Sequence, residues 1–131
     1  MHAPTPGHEI TQGSFLVHRQ AFAQQTGHAG ARFPWESAVS GFNVCGWSTG
    51  ALFEQHITGD VAMAFRLQYY LTRNDTWLRA HAWSVIQGAA QFWAGRFELD
   101  AASGNYTVKN VTGPDESSGK VSSREGQLSL R

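Results

Sequence analysis

Asp115 and Glu116 stand side by side directly after Pro114. Proline fixes its own φ, so the two carboxylates leave a stiffened turn together. Breaking a glycosidic bond calls for a carboxyl group held protonated near neutral pH, which donates to the departing oxygen, and a neighbouring anion is one way to raise its pKa. Glu116 is the candidate for that donor, with Asp115 beside it. Pro-Asp-Glu taken alone is far more often an ordinary exposed turn, so the tripeptide by itself is a weak motif.

A second string, Gly30-Ala-Arg-Phe-Pro-Trp-Glu-Ser37, sets Trp35 next to Glu36 in a loop. An aromatic face against the apolar side of a sugar, with a carboxylate accepting its hydroxyls, would make a carbohydrate site. In the bland alternative Trp35 fills a core gap and Glu36 pairs with Arg32. A third string, Glu54-Gln-His56-Ile-Thr58, puts an imidazole just before a helix, where it can bond a ligand hydroxyl or serve as a satisfied structural His. The histidines show no metal-ligand spacing, and the single cysteine, Cys45, cannot make an internal disulfide or a thiolate zinc site. No metal is expected. Gly-x-Gly-x-x-Gly, P-loop and Gly-x-Ser-x-Gly patterns are all missing, which removes the common nucleotide-binding and serine-hydrolase readings, and no cofactor is expected.

These strings need elements to hold them. Residues 1–13 read as a loose lead-in, and Ser14 to Thr26 as a helix stopped by Gly27. Ala29 to Trp47 is a loop with more aromatics than a linker carries, and such loops on a rigid scaffold often bind ligands. Thr58 is a plausible N-cap for a helix ending near Arg73, with Val61, Ala64, Phe65 and Leu71 at helical spacing. Asn74 or Asp75 can cap the next helix, whose apolar face comprises Leu78, Val85, Ile86, Ala89, Phe92 and Trp93. Beyond Arg96 the hydrophobic period falls to two, predicting a β-hairpin over Phe97 to Val111. Residues 117–131 are Ser-rich and without aromatics or periodicity, so they are expected to be a polar disordered tail. Two long, broadly apolar helices cannot hide their surfaces in each other. They imply a larger helical body, and self-association through exposed faces at Phe65, Leu71, Ile86 and Trp93.

Composition narrows the partners. Ten Lys+Arg balance ten Asp+Glu over 131 residues, so neither a nucleic-acid nor a membrane surface is expected. A 41% hydrophobic content with 12% aromatics suits a packed core. The first residues lack a basic segment followed by an apolar stretch, and no apolar run approaches the roughly 20 residues of a membrane span. A cytoplasmic location is the expectation, although Asn74, Asn105 and Asn110 each begin a formal N-glycosylation tripeptide.

Taken in order, Gly30-Ala-Arg-Phe-Pro-Trp-Glu-Ser-Ala38, Glu54-Gln-His-Ile-Thr-Gly-Asp60, Phe92-Trp93 with Arg96, and Pro114-Asp-Glu116 resemble glycoside hydrolase family 65. The similarity runs from about Gln24 to Glu116. It implies that residues 14–116 are part of an all-α (α/α)6 barrel carrying a short β-hairpin, and that the parent enzyme hydrolyses an α-glucosyl bond with inversion and without a metal. Glu116 matches the family's general acid, while Trp35, Glu36, His56 and Asp115 are expected to line the sugar pocket. The implied substrate is a glucosylated small molecule or glycopeptide, first the glucosyl-galactosyl-hydroxylysine of collagen. Trehalose hydrolysis and disaccharide phosphorolysis are the alternatives within the family.

The chain also departs from the pattern. Pro-Asp-Glu normally continues into Tyr-His and an Asn-rich segment, whereas here it continues into Ser117-Ser-Gly-Lys120. An inverting hydrolase needs a base about 6.5–9.5 Å from the acid, and no residue here has a claim to that post. The expectation is a truncated product that is inactive alone, or a non-catalytic partner or decoy of a full-length copy.

Overall fold

The computed structural model describes residues 12–37, 41–45, 52–114 and 128–130. Its elements are α1 (Gln12–Gln25), α2 (His56–Thr72), α3 (Asp75–Trp77), a π-helical turn (Leu78–Ala82), α4 (Trp83–Ala94), and strands β1 (Glu98–Asp100), β2 (Asn105–Val108) and β3 (Leu128–Leu130). The protein is thus mostly helical with a small antiparallel sheet. No described helix is long and apolar enough to cross a membrane.

Helix α1 begins two residues before the expected Ser14 and stops where the glycine predicts. Gly27 has φ +78°, its N–H reaches the Gln24 carbonyl at 3.0 Å, and the His28 N–H reaches that of Ala23 at 2.9 Å. This paired closure satisfies the last carbonyls of the helix. The chain then returns across α4, burying Ala31 and Phe33 against Val85, with Leu16, Ile57, Val61 and Phe65 packed around them.

Thr58 is not the N-cap. Helix α2 starts earlier, at His56 after Gln55, and Thr58 sits fully buried in its first turn, where its hydroxyl accepts the Phe33 N–H at 3.0 Å. The buried loop amide has no ladder partner, and this tertiary demand outweighs the local capping preference. Asn74 does cap as expected, its side chain accepting the Trp77 N–H at 2.9 Å. On α4 the anticipated face is the buried one: Val85, Ala89 and Phe92 are enclosed, and Ile86 and Trp93 half-buried. The exposed apolar surface therefore differs from the expected set. Leu71 is exposed, but its companions are Met63, Leu67 and Tyr70 on α2, while Phe65 packs on the core and stacks with Trp77.

The hairpin forms with Glu98 opposite Thr107 and Asp100 opposite Asn105. Asp100 closes the turn, accepting the Ala102 N–H at 3.0 Å and the Ser103 hydroxyl at 2.6 Å, and Gly104 supplies the positive φ of +70°. Within the stretch expected to be disordered, Leu128–Leu130 instead pairs antiparallel with β2, Leu128 opposite Val108 and Leu130 opposite Tyr106. Leu-Ser-Leu has the period of two that the outer edge of β2 accepts. Residues 115–127 lie outside the described residues.

Candidate active site

Four segments converge at the start of α2. The first is the loop carrying Trp35 and Glu36. It is fixed at three successive residues: the Ala31 N–H donates to Gly88 at 2.9 Å, that of Arg32 to the Arg19 carbonyl at 3.1 Å, and that of Phe33 to Thr58. Trp35 follows Pro34 in a half-buried bend, and Glu36 is exposed. The loop then crosses itself through a bridge between Ser37 and Asn43, with the Val44 N–H on the Glu36 carbonyl at 3.3 Å. A rigid anchor with an exposed carboxylate beyond it suits a binding loop.

The second segment is 52–55. Arg32 donates to the Leu52 carbonyl at 2.7 Å, as does the Gln55 amide at 3.2 Å. The third segment, at the end of α4, sends Arg96 to the Gln55 side-chain oxygen at 2.8 Å and on to the Lys109 carbonyl. The fourth leaves the hairpin, and its Thr112 N–H reaches the Phe53 carbonyl at 2.9 Å. The chain leading into Pro114 is thereby tied beside the residues that open α2.

His56 is the first residue of that helix rather than one preceding it. Its Nδ1 is buried and has no hydrogen-bond partner among the described residues. A buried polar atom left this way costs about 1–3 kcal/mol unless something satisfies it, and a ligand hydroxyl could do so.

The neighbourhood is crowded with positive charge. Burial, reinforced by Arg96, lowers Arg32 to about 10. Burial also lowers Arg96, against the pull of Glu98. His28 is lowered by burial and then by Arg96 and Arg32, which favours its neutral form.

The structure therefore brings the loop of Trp35 and Glu36 and the helix start at His56 together through the Phe33–Thr58 bond. Asp115 and Glu116 lie outside the described residues, which reach Pro114. Gln55 and Thr112 were not singled out from the sequence. Gln55 carries no signal of its own between Glu54 and His56, and Arg96 stands out only as part of the string with Phe92-Trp93.

The signature described as Glycosyl hydrolase family 65 central catalytic domain matches residues 14–125, which takes in all four segments together with Asp115 and Glu116. The chain belongs to glycosyl hydrolase family 65. This family-65 chain is 39% identical over 102 residues to a protein-glucosylgalactosylhydroxylysine glucosidase of Dictyostelium discoideum, covering 76% of itself and 14% of that relative. It is 42% identical over 98 residues to the enzyme of the same name from Danio rerio, covering 74% of itself and 15% of that relative. Against a kojibiose hydrolase of Flavobacterium johnsoniae it is 45% identical over 92 residues, covering 69% of itself and 13% of the relative. It thus spans a small part of the curated relatives it matches. A solved structure from the human microbiome, whose name assigns it by inference to the kojibiose phosphorylases, shares the fold with TM-score 0.69 at 17% identity, over 77% of this chain and 15% of its own.

Proposed function

We propose that this family-65 chain forms the acid-bearing part of an (α/α)6-barrel catalytic domain that hydrolyses an α-glucosyl bond with inversion. Glu116 is the general acid and Asp115 its positioning neighbour, while Trp35, Glu36 and His56 line the sugar pocket. The carrying observation is the 2.9 Å bond from the Thr112 N–H to the Phe53 carbonyl. It anchors the segment preceding Asp115-Glu116 next to His56, whose buried Nδ1 offers a place for a substrate hydroxyl. The opposing base is not among these residues and belongs to another part of the domain.

The glucosyl-galactosyl-hydroxylysine unit is the first substrate, supported by relatives of that name at 39 and 42% identity. Phosphorolysis is the second reading, supported by a kojibiose phosphorylase of Halothermothrix orenii at 35% identity. The test is a chimaera in which this chain replaces the matching segment of the Flavobacterium johnsoniae relative. Release of glucose by the chimaera supports the reading of this chain as the acid-bearing part, while hydrolysis and phosphorolysis are separated by assaying the complete parent protein with and without phosphate. Full activity with Glu116→Gln on an unactivated disaccharide overturns the assignment of the acid.

A further inference from the structure

The guanidinium of Arg96 joins two segments distant in sequence. Its Nε donates to the side-chain oxygen of Gln55 at 2.8 Å, and its Nη2 to the carbonyl of Lys109. Gln55 immediately precedes α2 and spends its own amide on Leu52 at 3.2 Å. Lys109 directly follows β2, and three residues later Thr112 bonds Phe53. The segment leaving β2 is thus gripped twice, once through Arg96 and once through Thr112, against the same four residues, 52–55. Lys109 adds a brace, its ammonium 2.6 Å from Glu98 on the neighbouring strand.

We infer that Arg96 is a positioning residue, which sets where the segment Lys109–Pro114 lies against the start of α2. This rests on the reading of Glu116 as the acid. A planar guanidinium reaches two acceptors in fixed directions, which a single ammonium cannot do. Nothing in the arrangement requires Arg96 to touch substrate, because both of its observed acceptors belong to the protein. Its effect is on the placement of the proton donor, and a misplacement of about 1 Å can cost about a hundredfold in rate.

Two measurements test this. In the 131-residue chain itself, Arg96→Lys should speed amide exchange at Thr112 roughly tenfold or more, with the amides of α4 unchanged. Unchanged exchange at Thr112 overturns the clamp. In the chimaera, Arg96→Lys should lower kcat on an unactivated disaccharide by about a hundredfold and on an aryl glucoside with a good leaving group by less than about threefold, with KM little altered. An equal fall on both substrates, or none, overturns the positioning role. Glu116→Gln in the same assay separates the two claims: if it shows no dependence on the leaving group, the acid assignment fails, and the exchange result still decides whether Arg96 holds the segment.

Discussion

The Ala31 N–H donates to the carbonyl of Gly88 at 2.9 Å, so a loop runs backbone to backbone along α4. Such an approach leaves no room for side chains. A Cβ on Gly88 would lie 2.8 Å from that of Ala31, and one on Gly30 would lie 2.3 Å from the Gly88 oxygen at a φ of +76°. Gly88→Ala should therefore destabilise the chain by about 1–3 kcal/mol, although alanine is worth about 1 kcal/mol in a helix interior. Gly30→Ala should cost more, because strain in φ adds to the clash. Urea unfolding measures both, and a gain in stability from Gly88→Ala would contradict the packing described.

Thr58 offers a second test of how the loop is held. Thr58→Val keeps the shape but leaves the Phe33 N–H buried without its acceptor, at an expected cost of about 1–3 kcal/mol. Thr58→Ser keeps the oxygen and should cost less. If the valine variant unfolded at a higher urea concentration than the serine variant, the hydroxyl would not be what holds Phe33.

What the sequence made legible was local. Gly27 as a stop, Asn74 as a cap and the change of period after Arg96 depend on residues within a few positions of one another. Thr58 reads locally as a cap because its actual partner, Phe33, is 25 residues away. The Gln55–Arg96 bond spans 41 residues and leaves no periodic trace. Strand β3 leaves no trace in the sequence because three residues are too few to reveal their period without the edge they join. The strings around Trp35, Glu36 and His56 point to the family only as an ordered set. Taken singly, each suited a bland role equally well.

Helix α2 presents Met63, Leu67 and Leu71 four residues apart, with exposures of 62, 56 and 75%. A stripe of this kind, joined by Tyr70, is rarely left open in a monomer. Sedimentation of the 131-residue chain should show self-association at micromolar concentration, and Leu67→Lys with Leu71→Lys should shift it to monomer. A monodisperse unmodified chain would remove the association proposal.

His28 should make stability depend on pH. Burial, then the charges of Arg96 and Arg32, lower its pKa below the ordinary 6.5. Between 6.5 and the lowered folded value the unfolded chain binds more protons than the folded one, so stability rises with pH there and falls as acid is added. Above 6.5 both states are neutral and the group contributes nothing. Urea midpoints should decline from pH 7.5 to 5.5, and His28→Gln should flatten the decline. Equal slopes in the two proteins would show that His28 is not responsible.

The sharpest functional expectation concerns the leaving group. A general acid matters most when the departing oxygen is a poor leaving group, because that oxygen must be protonated as the bond breaks. In the chimaera, Glu116→Gln should lower hydrolysis of a natural disaccharide by about 10²–10⁴-fold, and of an aryl glucoside with a good leaving group much less. Glutamine retains the shape of the side chain, so KM should change little. Asp115→Asn should have the smaller effect on both substrates, since its proposed role is to tune or place its neighbour rather than to give up a proton. The 131-residue chain alone should be inactive on either, because an acid without an opposing base cannot direct water to the sugar carbon. Near-normal cleavage of the disaccharide by the Glu116→Gln chimaera would show that the proton comes from elsewhere.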